Sequence, residues 1–239
     1  MFMRILTLLL APWLLYQGKQ VRAQTIRLPE ASGPREGLRQ EQVGEHISVL
    51  VIGDSAAAGV GCESQADAVC GQWVKLLEHH HQVHWQLIAK SSLTCSGVLE
   101  LVKQAQIGPS KPINQVLVSV GVNDVTQRTS LGQWKRNLTD LTEYLTETLA
   151  AETIIFSSLP PMQHFPALPQ PLRWFVGLQA KRLNKALKRH CEAHHRCIYL
   201  PLNIPFESKY MAEDGFHPSK HAATLWAANA FQAVNLNKG

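Results

Sequence analysis

From residue 47 onward the chain alternates between short unbroken aliphatic runs and longer stretches with apolar residues every three or four positions. Residues 47–52 (ISVLVI) end at Gly53, and residues 115–120 (QVLVSV) end at Gly121. Runs that are apolar at consecutive positions predict strands covered on both faces, because successive side chains on a strand point to opposite sides. Residues 83–89, 153–156 and 197–200 give three more strands. Residues 66–81, 98–106, 131–150, 172–190 and 218–234 carry helical spacing. In the 131–150 stretch Leu138, Leu141, Tyr144, Leu145 and Leu149 form one apolar face. In 172–190 Val176, Ala180, Leu183 and Leu187 do the same. The alternation predicts a three-layer α/β/α domain over residues 46–236, built on a five-stranded parallel sheet with right-handed crossovers. No internal repeat or second domain is visible.

Two segments break the pattern. Residues 24–45 are polar and hold Pro29, Gly33, Pro34, Gly37 and Gly44 without periodicity, as expected of a linker or a strap over the domain. Residues 159–171 hold five prolines, which excludes regular helix or a central strand there. Met162, Phe165, Leu168 and Trp174 place apolar bulk in or beside this stretch. We therefore expect Met162 and Phe165 to form a lip that meets substrate, the alternative being that they simply cover the sheet end.

The first 23 residues read as an export signal. Arg4 gives a positive start, residues 5–16 form an apolar stretch, and Val21-Arg22-Ala23 predicts cleavage after Ala23. The stretch is shorter than the roughly 20 residues of a membrane span, so a periplasmic or secreted chain without a stable span is expected. Retention as an interfacial anchor is the alternative. The net charge of +5 weakens as a clue once this segment is set aside: Arg4, Lys19 and Arg22 lie in it with no acid, leaving +2 on the remainder. No basic run interleaved with aromatics is present, so a nucleic-acid partner is not expected. Of five cysteines, Cys62/Cys70 and Cys191/Cys197 are close in sequence and Cys95 is left over. Two local disulfides with one free thiol and five buried thiols both fit this spacing.

In a parallel α/β sheet, ligands bind beyond the carboxyl ends of the strands. Three polar clusters fall there: Gly53-Asp54-Ser55 after the first strand, Gly121-Val122-Asn123-Asp124 after the third, and Asp214-Gly215-Phe216-His217 after the last. Each alone could be a turn or a helix cap. Together they supply a hydroxyl nucleophile, an imidazole base and a carboxylate to orient it. A backbone or amide donor at each of several strand ends could hold an oxyanion.

These clusters resemble the sequence blocks of the SGNH hydrolases, the GDSL-type esterases and lipases with a flavodoxin-like fold. The blocks are VIGDSAAAG (residues 51–59), GVND (121–124) and DGFHPS (214–219). The resemblance implies Ser55 as nucleophile, His217 as base, Asp214 as orienting acid and Asn123 as a side-chain oxyanion donor. In activity it points to bacterial secreted esterases with thioesterase and lysophospholipase activity. One departure stands out. Where the family places a glycine whose N–H is an oxyanion donor, this chain reads AKSSLTCSG (residues 89–97), and Ser92 occupies the position after the second strand. The expected oxyanion hole is therefore the Ser55 and Ser92 N–H groups with the Asn123 amide. Asp54 and Asp124 are read as structural. The G-x-S-x-G elbow of α/β-hydrolases is absent around Ser55.

Neither His79-His80-His81 with His84 nor the His190, Cys191, His194, His195, Cys197 group makes a convincing metal set. No metal or cofactor is expected. The sequon Asn137-Leu138-Thr139 lies inside a predicted helix and is discounted. The expected substrate is a small-molecule or lipid-like ester with a small to medium acyl group, a thioester or a lysophospholipid. A carbohydrate O-acetyl esterase, and a non-catalytic exported binding module of the same fold, are the alternatives.

Overall fold

The computed structural model describes residues 2–39, 44–107, 112–205 and 207–236, residues 2–9 by their backbone alone. Residues 40–43 of the expected strap, and the side chains of Arg4 and of residues 5–9, lie outside the described residues.

Among the described residues six strands form one sheet: β1 (Glu36–Arg39), β2 (His46–Gly53), β3 (Gln82–Ala89), β4 (Gln115–Ser119), β5 (Thr153–Ser157) and β6 (Cys197–Leu200). Their order is β1-β3-β2-β4-β5-β6, parallel throughout except for β1. The five-stranded expectation is thus corrected by one strand. The strap supplies β1, which pairs antiparallel with β3 from Glu36 opposite Gln86 to Arg39 opposite Val83. Glu36, Gly37, Leu38 and Arg39 carry no strand pattern of their own; what makes them a strand is the unpaired outer edge of β3.

The aliphatic runs alternate between two cores as a pleated strand requires. Leu50 and Ile52 of β2, Val116 and Val118 of β4, and Ile154 and Phe156 of β5 enter one core. Helices α3 (Cys95–Gln104), α5 (Leu131–Glu143) and α6 (Leu172–Ala193) cover it. Val49, Val51, Leu117 and Ile155 enter the other, under α2 (Val69–Glu78) and α7 (Lys220–Leu236). Asn137 of the sequon is buried in α5. A short helix, α4 (Val122–Thr126), follows β4. The N-terminal helix α1 (Phe2–Gln24) lies against α6: Gln17 Nε2 donates to the Gln170 carbonyl at 2.7 Å, and the Leu172 N–H donates to Gln17 Oε1 at 3.2 Å. Among the described residues no helix is long and apolar enough to cross a membrane.

The chain leaves β2 for β3 on one side and then crosses back to β4 on the other. This places the switch in strand order at the carboxyl end of β2, with β3 and β4 as its neighbours. The loops after these strands therefore share one crevice.

Candidate active site

Gly53 closes β2 because nothing larger fits. A Cβ there would stand 2.3 Å from the Ser119 carbonyl oxygen of β4 and 2.8 Å from Ala57 Cβ. The chain then turns, and Asp54 and Ser55 begin the return: the Asp54 N–H donates to the Ser119 carbonyl, and the Ala58 and Val60 N–H groups donate to the Asp54 and Ser55 carbonyls. These bonds set the Ser55 side chain at the crevice and leave its own N–H without a protein acceptor among the described residues.

The facing side comes from the loop before α7. Asp214 Oδ1 accepts the N–H groups of Phe216 at 2.9 Å and His217 at 3.0 Å, which winds the loop tightly around the carboxylate. Its other oxygen, Oδ2, lies 2.5 Å from His217 Nδ1, and His217 Nε2 lies 2.8 Å from Ser55 Oγ. The Asp214 side chain is only 1% exposed, while that of His217 is 26% exposed, so one end of the relay is dry and the other is reachable by substrate. Burial opposes the Asp214 charge. The hydrogen bonds from the His217 ring and from the His217 and Phe216 amides outweigh it and hold the carboxyl below its ordinary value.

The third side is the loop after β3. Ser92 adopts φ 69°, the left-handed region that a residue with a Cβ enters at a cost of about 1–2 kcal/mol. That is the backbone expected at a position where a glycine would be usual, and Ser92 takes it. Gly97 is not an alternative, since it sits in the first turn of α3 with its N–H on Thr94 Oγ1. The Ser92 N–H has no acceptor among the described residues. Asn123, in α4, donates from Nδ2 to the Leu93 carbonyl at 3.0 Å and makes a longer 3.4 Å contact with Asp54 Oδ2. Gln127 Nε2 donates to the Ser92 carbonyl at 3.3 Å, and Asp124 Oδ2 accepts the Cys95 N–H at 2.9 Å. The loops after β3 and β4 are thus tied together at three points.

Asp54 and Asp124 act as the structural carboxylates that the sequence suggests. Asp54 Oδ1 accepts the Ala56 N–H, and burial pushes its carboxyl up to about 6. Burial also raises the Asp124 carboxyl, although the Cys95 N–H pulls the other way. Neither touches His217 in the way Asp214 does.

The expected lip is corrected. Met162 and Phe165 are 2% and 3% exposed and belong to the core that α6 covers, so neither presents an exposed surface to substrate. Phe165 instead stands edge-on to Phe216, with ring centroids 5.8 Å apart, and Ala167 lies against Gly215. The proline-rich stretch braces the His217 loop from behind. Its prolines leave room only for one 3₁₀ turn, Met162–His164, too short to give a period from which to tell inward from outward positions.

All five cysteines are free thiols, four of them buried. His190 lies 2.8 Å from Thr142 Oγ1, and its ring stacks near that of His194; burial pushes its imidazole down to about 4. Among the described residues no three His, Cys, Asp or Glu side chains are grouped to hold a metal. Sequence reasoning missed Glu30 of the strap, which accepts hydrogen bonds from Ser91; no motif marks it.

Residues 51–225 match the model of the GDSL-like Lipase/Acylhydrolase family. A GDSL-like esterase of Mycobacterium tuberculosis is 28% identical over 213 residues, covering 84% of this chain. This chain spans 66% of that relative's length. Among solved structures, a lipase/acylhydrolase from Enterococcus faecalis superposes with a TM-score of 0.61 at 15% identity, covering 80% of this chain and 96% of the other. The esterase EstA from Pseudoalteromonas sp. gives 0.56 at 21% identity, covering 79% and 97%. At these identities the structures share a fold with this chain.

Proposed function

The chain belongs to the GDSL-like lipase/acylhydrolase family, and on that premise we propose that it is an exported serine hydrolase of carboxylic esters. The observation that carries this reading is the unbroken relay from Ser55 Oγ through the His217 ring to Asp214, at 2.8 and 2.5 Å. A serine hydroxyl becomes a useful nucleophile only when a base within hydrogen-bond reach takes its proton. His217 Nε2 is that base. Asp214 fixes the tautomer by accepting from Nδ1, and it stabilises the imidazolium once the proton has moved.

Ser55 Oγ attacks the ester carbonyl carbon while its proton passes to His217 Nε2. The carbonyl oxygen becomes an oxyanion, held by the Ser55 N–H, the Ser92 N–H and the Asn123 Nδ2–H that has only the long contact to Asp54. Collapse expels the alcohol, which takes the proton from His217 and leaves an acyl group on Ser55. Water, deprotonated by the same imidazole, repeats the sequence and releases the acid. Loss of one oxyanion donor in such a site costs about 2.7–4 kcal/mol of barrier.

Short to medium acyl esters are the proposed substrates, with thioesters and lysophospholipids at the longer end. Burial of Met162 and Phe165 favours a second reading on the shorter side, an O-acetyl esterase acting on sugars, because no long acyl lip is offered by those residues. A series of nitrophenyl esters of increasing chain length, run beside lysophospholipid and acetylated sugar, separates the two. Ser55→Ala should abolish turnover and fluorophosphonate labelling; activity surviving in that variant ends the triad reading.

Export rests on Arg4, the apolar stretch and the Val21-Arg22-Ala23 site. Cleavage after Ala23 would remove nearly all of α1 and its contacts with α6 and keep every residue of the site. N-terminal sequencing of the chain recovered from the periplasm or medium checks it, and a chain that keeps Met1 there refutes cleavage.

A further inference from the structure

We propose that Glu30 is a positioning residue for the oxyanion hole, clamping the backbone that aims the Ser92 N–H. The proposal rests on the reading of that N–H as an oxyanion donor. The donor belongs to the peptide between Ser91 and Ser92. Its direction is set by ψ of Ser91 and φ of Ser92 together. If Ser92 relaxed from φ 69° to the right-handed region that a serine prefers, this peptide plane would turn and take the N–H away from the crevice. A glycine needs no help to hold that conformation. A serine does.

Help comes from both sides of Ser92. On the far side stand the three ties to α4 and its C-terminus already described. On the near side stands the strap. Glu30 Oε1 accepts both the Ser91 N–H and the Ser91 hydroxyl, each at 2.7 Å. Its other oxygen is held by Arg35 Nη2 at 2.6 Å, and Arg35 Nη1 donates to the Ala89 carbonyl at 2.7 Å. The clamp therefore closes on the last residue of β3, so it references Ser91 to the sheet itself. Its next residue ties it to the nucleophile loop. The Ala31 N–H donates to the Ala58 carbonyl, while Gln65 Nε2 bridges the Ala31 and Ala58 carbonyls at 3.2 and 2.9 Å. Residues 30 and 31 thus link the two loops that carry the Ser55 and Ser92 N–H groups. Glu30 touches neither substrate nor the triad and acts through Ser91 alone.

A double-mutant cycle between Glu30→Ala and Ser92→Gly in the full chain tests this, read by steady-state ester hydrolysis and by the rate of fluorophosphonate labelling. Thermal melts confirm that each variant is folded. Losing the clamp should lower kcat about 10- to 100-fold, short of or equal to the loss of one donor, with KM within about twofold. Labelling should slow in proportion, because the phosphonyl oxygen occupies the same hole. In the S92G background the same Glu30→Ala change should cost under about threefold, because glycine adopts the left-handed backbone without the steric penalty that the clamp offsets in serine. A purely structural Glu30 would cost the same factor in both backgrounds, and that result overturns the proposal. So does a Glu30→Ala kcat within about threefold of wild type, or a rise in KM at constant kcat. Should Glu30→Ala not fold, Glu30→Gln takes its place in the cycle, since its amide has a single oxygen to serve both Ser91 and Arg35; the same comparison of backgrounds decides. Turnover persisting in Ser55→Ala would instead bring down the triad reading, so the two failures are told apart.

Discussion

Replacing Asp214 by asparagine changes almost no volume, yet the hydrogen bonds around it predict a severe loss. The wild-type carboxylate accepts on both oxygens: Oδ1 from the Phe216 and His217 amides, Oδ2 from His217 Nδ1. An asparagine has one oxygen and one NH2. Turning the NH2 toward the two backbone N–H groups would set donor against donor twice in a buried site. The oxygen therefore stays with the amides, and the NH2 faces His217 Nδ1. The imidazole must then accept at Nδ1 and carry its proton on Nε2, where it points at Ser55 Oγ and can no longer act as a base. The same wrong-tautomer substitution in a Ser-His-Asp protease lowers kcat about 10⁴-fold, or about 5 kcal/mol of barrier, and the same size is expected here. Steady-state hydrolysis of a nitrophenyl ester at neutral pH measures it, with KM changing by less than about threefold because the ground-state contacts are intact. Combining Asp214→Asn with His217→Ala should add little to the loss from His217→Ala alone, because the residues act as one unit. A drop in kcat below about 30-fold, or full additivity, would refute the argument that Asp214 works by fixing the tautomer.

Phe165→Ala should destabilise the fold by about 3–5 kcal/mol, lowering Tm by about 10 °C, because the side chain is buried against Phe216 and the core of α6. Its effect on kcat should be uniform across acyl chain lengths; a selective loss for long chains, seen in the same ester series, would reinstate the lip. Asp54 gives a pH signature. Its carboxyl, raised from 3.8 to about 6 by burial, binds a proton more tightly folded than unfolded, so stability falls as pH rises through that interval. Asp54→Asn removes this slope, and denaturant melts should show its stability gaining on wild type from about pH 4 to about pH 7, by on the order of 3 kcal/mol. Parallel pH dependences for the two proteins would show that Asp54 does not titrate there.

The parts that sequence could anticipate are those in which one physical requirement dominates. A strand buried on both faces needs consecutive aliphatic residues, and residues 47–52, 115–120 and 153–156 meet that need without help from elsewhere. The three polar clusters could be placed because strand ends are where such a sheet leaves room for a ligand. The parts that escaped depend on partners distant in sequence. Residues 36–39 become a strand only because β3 presents an open edge. Met162 and Phe165 turn inward because Phe216 and α6 are there to receive them. Glu30 matters through a serine 61 positions away.

Three aspartates converge on this end of the sheet, and their surroundings explain why only one serves the imidazole. Asp214 pairs its burial with two backbone donors and the His217 ring, and its carboxyl stays below the ordinary value. Asp54 is as deeply buried but receives a single close backbone donor, from Ala56, and its carboxyl rises. Asp124 receives the Cys95 N–H on Oδ2 at 2.9 Å, and burial still raises its carboxyl against that bond and the Thr129 hydroxyl. An orienting acid must remain charged while a cation forms beside it, so the carboxylate best supplied with donors is the one suited to the task. The two less closely supplied carboxylates shape loops without bonding to His217. Each spends its oxygens on shaping a loop: Asp54 at the turn that carries Ser55, Asp124 at the junction of the Ser92 loop with α3. Exchanging the environments of Asp54 and Asp214 would leave a site with the same residues and no working base. What assigns the roles is how closely the donors approach: 2.5 to 3.0 Å at Asp214 against 3.2 to 3.5 Å at Asp54.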